Sequence, residues 1–471
     1  MFKLYKKLKA ADWLIVALIV GITVAQVFFT MELTDKISDI VGAIRAVSAG
    51  VPGATVGDIW REGGIMLAFA VCTALCQAAV CFAAAKVSSD LSATLRGKVY
   101  AKVESFSIAE VNRFSTPSLI TRTTNDIQQV HMANVMTLRM LIYAPIMAIW
   151  AICKINASSG ELTAATAVAV IVLVVCIAAV MLLVMPKFKL MQKLTDRLNG
   201  VTRENLTGIR VVRAYNAEDY QQNKFEKANT EFTGTQLFTG RLLALMSPIM
   251  MLVMNGLTLA IYWIGASLMN AGEIEYQTIV SFMTLASQVI MAFLMMLMML
   301  ILLPRASVAA KRINEVLETE LSVKDPETET PVKECGTVEF RDVSFRYPDA
   351  DADVFEHISF RAEKGQTIAF IGSTGSGKST LINLVPRFYD ATEGEVLVDG
   401  VNVKELKQST LRDKIGYVPQ KGVLFSGTVA ENIAFGGKAG REEIEEAAKI
   451  AEADGFIGEM ENGYDSPIAQ G

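Results

Sequence analysis

The sequence predicts a polytopic α-helical membrane domain followed by an incomplete α/β P-loop nucleotide-binding domain. Three observations predict this fold class. First, 52% of the 471 residues are hydrophobic and 20% are charged, a balance typical of membrane proteins with an attached soluble part. Second, apolar runs long enough to cross a bilayer recur along the N-terminal part of the chain. Third, a glycine-rich phosphate-binding motif follows further along the chain, between strand-like and helix-like segments.

Six apolar runs reach the length of about 20 residues that a membrane-spanning helix needs. These runs are 13–31, 64–85, 138–158, 164–185, 243–268 and 279–303. Lys and Arg are concentrated before the first run and in the long loops 86–137 and 186–242, whereas the short loops after the third and fifth runs contain none. By the positive-inside rule, the N-terminus, both long loops and the C-terminal domain face the cytosol, and we expect the chain in the cytoplasmic membrane.

The sequence pattern changes at the domain boundary, from long apolar runs to short strand-like and helix-like segments. We expect a membrane domain over 1–320, a polar linker with Pro and Thr over 321–336, and a nucleotide-binding domain over 337–471. Strand-like segments alternate with helix-like segments in this last part, which favours an α/β domain. The segments predicted to contain short strands and turns are "GTVEFRDVSFRY", "FEHISFRAEKGQTIAFIG", which includes the strand "QTIAFI", "GEVLVDG" and "KIGYVPQ".

The segment "GSTGSGKS", residues 372–379, fits the P-loop pattern G-x-x-x-x-G-K-[ST] after the predicted strand "QTIAFI". Glycines let the backbone curl so that successive N–H groups point at one anion, and the following helix offers its N-terminal amides. Lys378 is expected to reach the β- and γ-phosphates of ATP, and the Ser379 hydroxyl to bind Mg²⁺. The predicted nucleotide-binding residues here are Gly372, Ser373, Thr374, Gly375, Ser376, Gly377, Lys378, Ser379 and Thr380.

The residues around the P-loop resemble the nucleotide-binding domain of the ABC transporter superfamily. The segment "VEFRDVSFRYP" is similar to the first hairpin of that domain, and the resemblance implies that Tyr347 stacks on adenine. The segment "IGYVPQKGVLFSGTVAENI" is similar to the Q-loop region, which implies that Gln420 contacts Mg²⁺ and the region of the attacking water. The alternatives are an ordinary strand aromatic for Tyr347 and a plain polar loop residue for Gln420.

The membrane half carries the same resemblance. The segments "FSTPSLITRTTND" at 114–126 and "ENLTGIRVVRAYNAEDYQQNKF" at 204–225 resemble the two cytosolic loops of ABC exporters. The resemblance implies short coupling helices at the loop tips, near 105–113 and 213–219, that dock on nucleotide-binding domains. Six spans fused to one ATP cassette is the arrangement of an exporter half-transporter. It implies a dimer of this chain, either with itself or with a second, different subunit. A dimer of two different subunits leaves room for one of its two ATP sites to be degenerate.

Parts of the family pattern are absent from these 471 residues. No LSGGQ-like signature motif, no apolar strand ending in Asp-Glu and no switch histidine follows the P-loop. His131 and His357 are in positions that do not fit the switch. Because charge stabilisation and positioning supply phosphoryl-transfer catalysis, we expect the chain to bind ATP and to hydrolyse it poorly alone. The resemblance therefore implies an exporter subunit that is C-terminally truncated inside its ATPase domain.

The cargo is less constrained by the sequence. Methionine-dense segments such as "MAFLMMLMML" suit a hydrophobic drug or lipid substrate; the alternative is that these methionines only face lipid or other helices. The six cysteines show no metal-ligand spacing, and the net charge of −5 gives no case for nucleic acid. The leading hypothesis is ATP-driven export of a hydrophobic substrate. The alternative is a non-hydrolysing, nucleotide-binding regulatory or channel-like membrane partner.

Overall fold

The computed structural model describes residues 10–53, 55–158, 160–333, 336–437 and 439–469. The N-terminal lysines used for the orientation argument lie outside the described residues. The chain divides into two compact units. The first unit contains Met1–Ser105 and Phe114–Glu320, and the second contains Phe106–Arg113 and Leu321–Gly471.

The described residues of 10–320 are helical apart from short turns. In chain order the helices are α1 (Ala10–Ser48), α2 (Val56–Glu104), α3 (Ile108–Phe114), α4 (Thr116–Thr123), α5 (Asn125–Met136), a π-helical turn (Thr137–Leu141), α6 (Ile142–Ser158), α7 (Gly160–Thr207), α8 (Ile209–Ala214), α9 (Glu218–Asn270) and α10 (Tyr276–Glu318).

Six of these helical stretches are long and apolar enough to cross a membrane, which confirms the six-span prediction. They are Ala10–Ser48, Val56–Glu104, Thr116–Ile155, Gly160–Thr207, Glu218–Asn270 and Tyr276–Met296. With 49 residues, α2 measures about 74 Å at 1.5 Å per residue, more than twice the roughly 30 Å of a hydrocarbon core. The long helices therefore continue well beyond the apolar runs.

Polar side chains inside the helix bundle pair with one another between spans. The amide of Gln26 in α1 donates to the side-chain oxygen of Gln77 in α2 at 2.5 Å. Gln288 in α10 donates to the Thr34 hydroxyl of α1 at 3.1 Å. Apolar side chains such as Phe282 form the surrounding core. Because hydrocarbon offers no hydrogen bonds, such polar groups are most stable facing other helices.

The second unit contains an antiparallel sheet with the strand order β2-β1-β3-β4. Its strands are β1 (Val338–Phe345), β2 (Phe355–Ala362), β3 (Glu393–Val398) and β4 (Val401–Asn402), and β5 (Gly427–Thr428) pairs separately with β6 (Pro467–Ile468). The helices are α11 (Lys378–Leu384), α12 (Gln408–Arg412), α13 (Val429–Ala434), α14 (Arg441–Ile450) and α15 (Asp454–Gly458), with 3₁₀ turns at Val403–Glu405 and Gly463–Asp465. This mixture of helices and sheet confirms the predicted fold class, whereas the predicted domain ranges stay predictions.

Two predicted strands are wrong in this structure. Residues 366–371 and 414–420 belong to no helix or sheet. A strand exists only through hydrogen bonds to a neighbouring strand, and the described residues place none beside either segment. Two of their apolar side chains are almost fully exposed: Ile371 at 95% and Val418 at 93%.

The two loop tips form short helices that belong to different units. The first, α3, begins and ends close to the predicted range 105–113, and residues 106–113 belong to the second unit. The second, α8, lies at 209–214 instead of the predicted 213–219 and belongs to the first unit. The reason is a reversal at Asn216, whose φ is 48°, followed by the acidic first turn of α9, which suits a helix N-terminus.

Candidate nucleotide-binding site

The P-loop joins the irregular segment 366–371 to helix α11, which begins at Lys378. Gly375 and Gly377 both have φ of 85°, a left-handed conformation that a side chain disfavours. A Cβ on Gly377 would lie 2.8 Å from Cγ1 of Val354 and 3.2 Å from the ring of Phe355. Glycine is thus required at 377 for both backbone conformation and space.

Lys378 folds back over the loop that precedes it. Its ammonium donates to the carbonyl oxygens of Gly372 at 2.9 Å and Ser373 at 2.7 Å, and to the Ser376 hydroxyl at 3.3 Å. These oxygens are neutral acceptors on an exposed loop, whereas phosphate oxygens carry full charge. Because charge-assisted hydrogen bonds are the stronger ones, the ammonium is placed to exchange these partners for a nucleotide phosphate.

The next residues of α11 divide between exposed and buried positions. The Ser379 side chain is exposed, and it makes no hydrogen bond to the described residues. Thr380 is 8% exposed and its hydroxyl lies 2.8 Å from the hydroxyl of Tyr347. Leu381 and Leu384 pack into the core of the second unit and hold the helix in place.

Tyr347 lies in an aromatic cluster next to α11. Its ring makes edge contacts with Phe345 at 5.0 Å and with Tyr389 at 5.3 Å between ring centroids. Such edge-to-face pairs contribute about 0.5–1.5 kcal/mol beyond burial. The structure therefore brings the predicted adenine-stacking residue to the P-loop helix through Thr380.

Gln420 is not brought to the P-loop by any contact of the described residues. It lies in an exposed bend after the irregular segment 415–419, and its side chain makes no hydrogen bond to the P-loop there. The two histidines also have partners elsewhere. His131 lies 3.3 Å from Ser92 Oγ, and His357 Nδ1 lies 2.9 Å from Asp342 Oδ1, which raises the pKa of this exposed histidine.

Sequence reasoning missed the groups that join α3 to the rest of the second unit. Glu110 is 6% exposed, and its carboxylate accepts the backbone N–H of Ser107 at 2.7 Å and of Ser322 at 2.9 Å. Burial alone raises the pKa of Glu110, but the hydrogen bonds from Ser107 and Ser322 outweigh burial, and the pKa is lowered. Asn112 donates to the hydroxyl of Tyr389 at 3.3 Å. The segment that forms α3 is short and has no recognisable sequence pattern, so the sequence alone does not predict these contacts.

Comparison with known families decides what kind of protein this is. Residues 13–293 match the family model of the ABC transporter transmembrane region, and residues 355–466 match a second family model, ABC transporter. The chain belongs to the ABC transporter family. The membrane region and the ATP-binding region follow each other on one chain, which is the fusion seen in exporter half-transporters and confirms the predicted resemblance.

Curated ABC transporter relatives cover most of this chain. An uncharacterised ABC transporter ATP-binding protein of Mycobacterium bovis is 37% identical over 431 residues, 90% of this chain and 74% of the relative. A second uncharacterised ABC transporter ATP-binding protein, from Bacillus subtilis, is 33% identical over 448 residues, 95% of this chain and 78% of the relative. An ATP-dependent lipid A-core flippase of Pseudomonas aeruginosa is 32% identical over 395 residues, 83% of this chain and 64% of the relative.

This ABC transporter is thus a multi-pass membrane protein of the exporter type with an ATP-binding domain. The family match implies that this domain binds ATP. ATPase activity coupled to translocation belongs to this family of domains.

Proposed function

We propose that this chain is one half of a dimeric ABC exporter that uses ATP to move a hydrophobic substrate out across the cytoplasmic membrane. The observation that carries the proposal is the preformed P-loop. Lys378 already crosses the loop and contacts the carbonyl oxygens of Gly372 and Ser373, so a triphosphate can take over its hydrogen bonds without refolding the loop. The six membrane-spanning helices fused to the ATP-binding domain are the part of the protein that ATP binding would drive.

Within the proposed site, each residue has a separate role. Lys378 holds the β- and γ-phosphates, and the amides of 375–379 cradle them, while Tyr347 stacks on adenine. The exposed, unbonded hydroxyl of Ser379 fits a Mg²⁺ ligand, and Gln420 is proposed as the second one after the segment 415–420 moves towards the loop. When bound, Mg²⁺ supplies charge neutralisation of the phosphates.

The proposal of a dimer is supported by the loop tip around α8. Residues 204–225 belong to the first unit, and apolar side chains at the tip are exposed. Exposed fractions are 67% for Leu206, 61% for Val211, 79% for Tyr215 and 68% for Tyr220. Apolar groups clustered at a polar loop tip favour a protein partner. A second half-transporter, identical or different, is the partner that the family resemblance implies.

The proposed orientation places both loop tips and the ATP-binding domain in the cytosol, supported by the basic long loops. A hydrophobic substrate is supported by the methionine-rich spans and by the name of the Pseudomonas aeruginosa relative, an ATP-dependent lipid A-core flippase. That the 471 residues bind ATP but hydrolyse it poorly by themselves stays a prediction. If the chain binds ATP without hydrolysing it, the competing function is that of a regulatory or channel-like nucleotide-binding membrane partner.

The test is ATP binding and transport by the purified protein in lipid vesicles, with a fluorescent lipid and a hydrophobic dye as the probes. Lys378→Ala is expected to lower ATP affinity by at least about tenfold, because a charged partner of the phosphates is removed. Lys449→Ala, a change of the same type on α14, is the matched control and should leave binding intact.

Three outcomes separate the functions. ATP-dependent movement of either probe that Lys378→Ala abolishes supports the exporter. ATP binding with no hydrolysis and no movement, also in the complete dimer, supports the regulatory partner. Transport that is unchanged by Lys378→Ala overturns the P-loop as the motor.

A further inference from the structure

Helix α3 is attached to the second unit at two separate points. The first is the Glu110 carboxylate, which accepts the N–H groups of Ser107 and Ser322. The second is Asn112, whose side-chain amide donates to the hydroxyl of Tyr389 at 3.3 Å. The two points are independent, because the first involves the segment at 321–322 and the second involves the segment that follows α11.

Tyr389 also reaches the nucleotide site. It is 6% exposed, so its ring is held by its neighbours, and one of them is the ring of Tyr347 at 5.3 Å between centroids. The Tyr347 hydroxyl lies 2.8 Å from Oγ1 of Thr380, the residue after Ser379. One side chain, Tyr389, thus contacts the loop-tip helix with its hydroxyl and the proposed adenine platform with its ring.

We propose that Tyr389 is a positioning residue through which the base of the bound nucleotide fixes helix α3: the phenol hydroxyl holds Asn112 while the ring follows Tyr347. The inference rests on the proposed function, because it requires that Tyr347 stacks on the base. It adds that the base controls helix α3, which lies in the loop between the second and third spans.

The physical argument is one of shared packing. A base that stacks on Tyr347 restricts that ring, and the edge contact passes the restriction to the ring of Tyr389. A buried phenol has little rotamer freedom, so its hydroxyl then offers Asn112 a fixed acceptor. A polyphosphate that fills the P-loop but has no base leaves Tyr347, and hence α3, unchanged. The protein contacts that would carry this coupling, from Tyr347 to Tyr389 and from Tyr389 to Asn112, are present in the second unit.

The test compares ATP with inorganic tripolyphosphate, both with Mg²⁺, on the full chain in detergent, and follows hydrogen exchange of residues 106–113. In the wild type, ATP should slow this exchange and tripolyphosphate should not. Tyr389→Phe keeps the ring and removes only the hydroxyl, so it should keep the ATP Kd within about twofold and lose the ATP-induced slowing. Glu110 still attaches α3 in this variant, which keeps undocking from explaining the loss.

Matched variants complete the design. Tyr417→Phe also removes a phenol hydroxyl, one that donates to Asn383 of α11 at 3.0 Å, and should keep the slowing. Asn112→Ala cuts the same hydrogen bond from the other side and should reproduce Tyr389→Phe, which covers the case in which one variant fails to fold. Slowing that persists in both variants, or that tripolyphosphate produces equally, overturns the role of Tyr389. A wild type that does not bind ATP at all overturns the proposed function first, and this inference with it.

Discussion

Arg387 and Asp390 form an ion pair in the segment that follows α11, with Nε of Arg387 2.8 Å from Oδ1 of Asp390. The Arg387 side chain is only 4% exposed, against 25% for that of Asp390. The remaining donors of the guanidinium reach the carbonyl oxygens of Leu406 and Lys324. One buried cation therefore ties three segments of the second unit together just after the P-loop helix.

We expect Arg387→Ala to destabilise the second unit by on the order of 2–3 kcal/mol, because it leaves two carbonyl oxygens and a carboxylate without their donor. The residue has φ of 55°, and alanine meets the same left-handed backbone cost as arginine, so the loss reports the side chain. Chemical or thermal unfolding of the purified chain measures it.

Arg361→Ala is the control for this change, since Arg361 pairs with Glu363 at 2.7 Å but its side chain is 57% exposed. Exposed ion pairs contribute little, so its unfolding should stay near that of the wild type. Equal losses from the two variants would contradict the assignment of Arg387 as a structural centre.

The docking of α3 should depend on pH through Glu110. Its pKa is lowered from the ordinary value of 4.5, because the hydrogen bonds outweigh the cost of burial, so the folded state prefers the carboxylate. The stabilisation is therefore complete above about pH 4.5 and is lost as the pH falls below that value. Hydrogen exchange of residues 106–113, corrected for the intrinsic rate, should rise on acidification.

Glu110→Gln removes the titrating group and keeps the shape of the side chain. It should show faster exchange of 106–113 already at neutral pH and no further acid-dependent step in this segment. A step of wild-type size in Glu110→Gln would show that another group titrates there.

The P-loop glycines permit a sharper comparison. Gly377→Ala places a Cβ 2.8 Å from Val354, in a left-handed backbone, and should lower ATP affinity by at least about tenfold because the loop must shift. Gly365→Ala also requires a left-handed residue, with φ of 83°, but its Cβ would meet open space. It should cost about 1 kcal/mol of stability and leave ATP affinity unchanged. Isothermal titration with ATP distinguishes the two, and equal affinities would contradict the steric argument.

The elements that sequence predicts here are those with a local signal. The six spans follow from apolar length, and the P-loop follows from an eight-residue pattern whose glycines and lysine each have a reason. The strands predicted at 366–371 and 414–420 are not formed, because strand formation depends on a neighbour that local pattern does not reveal. The contacts of Glu110, Asn112 and Tyr389 join segments far apart in the chain, so periodicity carries no information about them.

The ion pair between Asp35 of α1 and Lys154 of α6 supplies a test of the membrane unit. Both residues lie beyond or near the end of the apolar runs, and their side chains are 44% and 27% exposed. A partly exposed pair contributes about 1 kcal/mol, so Asp35→Lys and Lys154→Asp should each lower the thermal stability of the protein in detergent. The double exchange restores opposite charges with reversed sign, and it should recover most of the loss.

The neighbouring pair of Lys36 with Glu62, at 2.8 Å, joins α1 to α2 instead and provides the control. Glu62→Lys should not be rescued by Lys154→Asp, because these two residues are not partners. Losses that simply add in the Asp35 and Lys154 double variant would mean that the two side chains act separately. Recovery specific to that pair would establish a direct electrostatic link between the first and third spans.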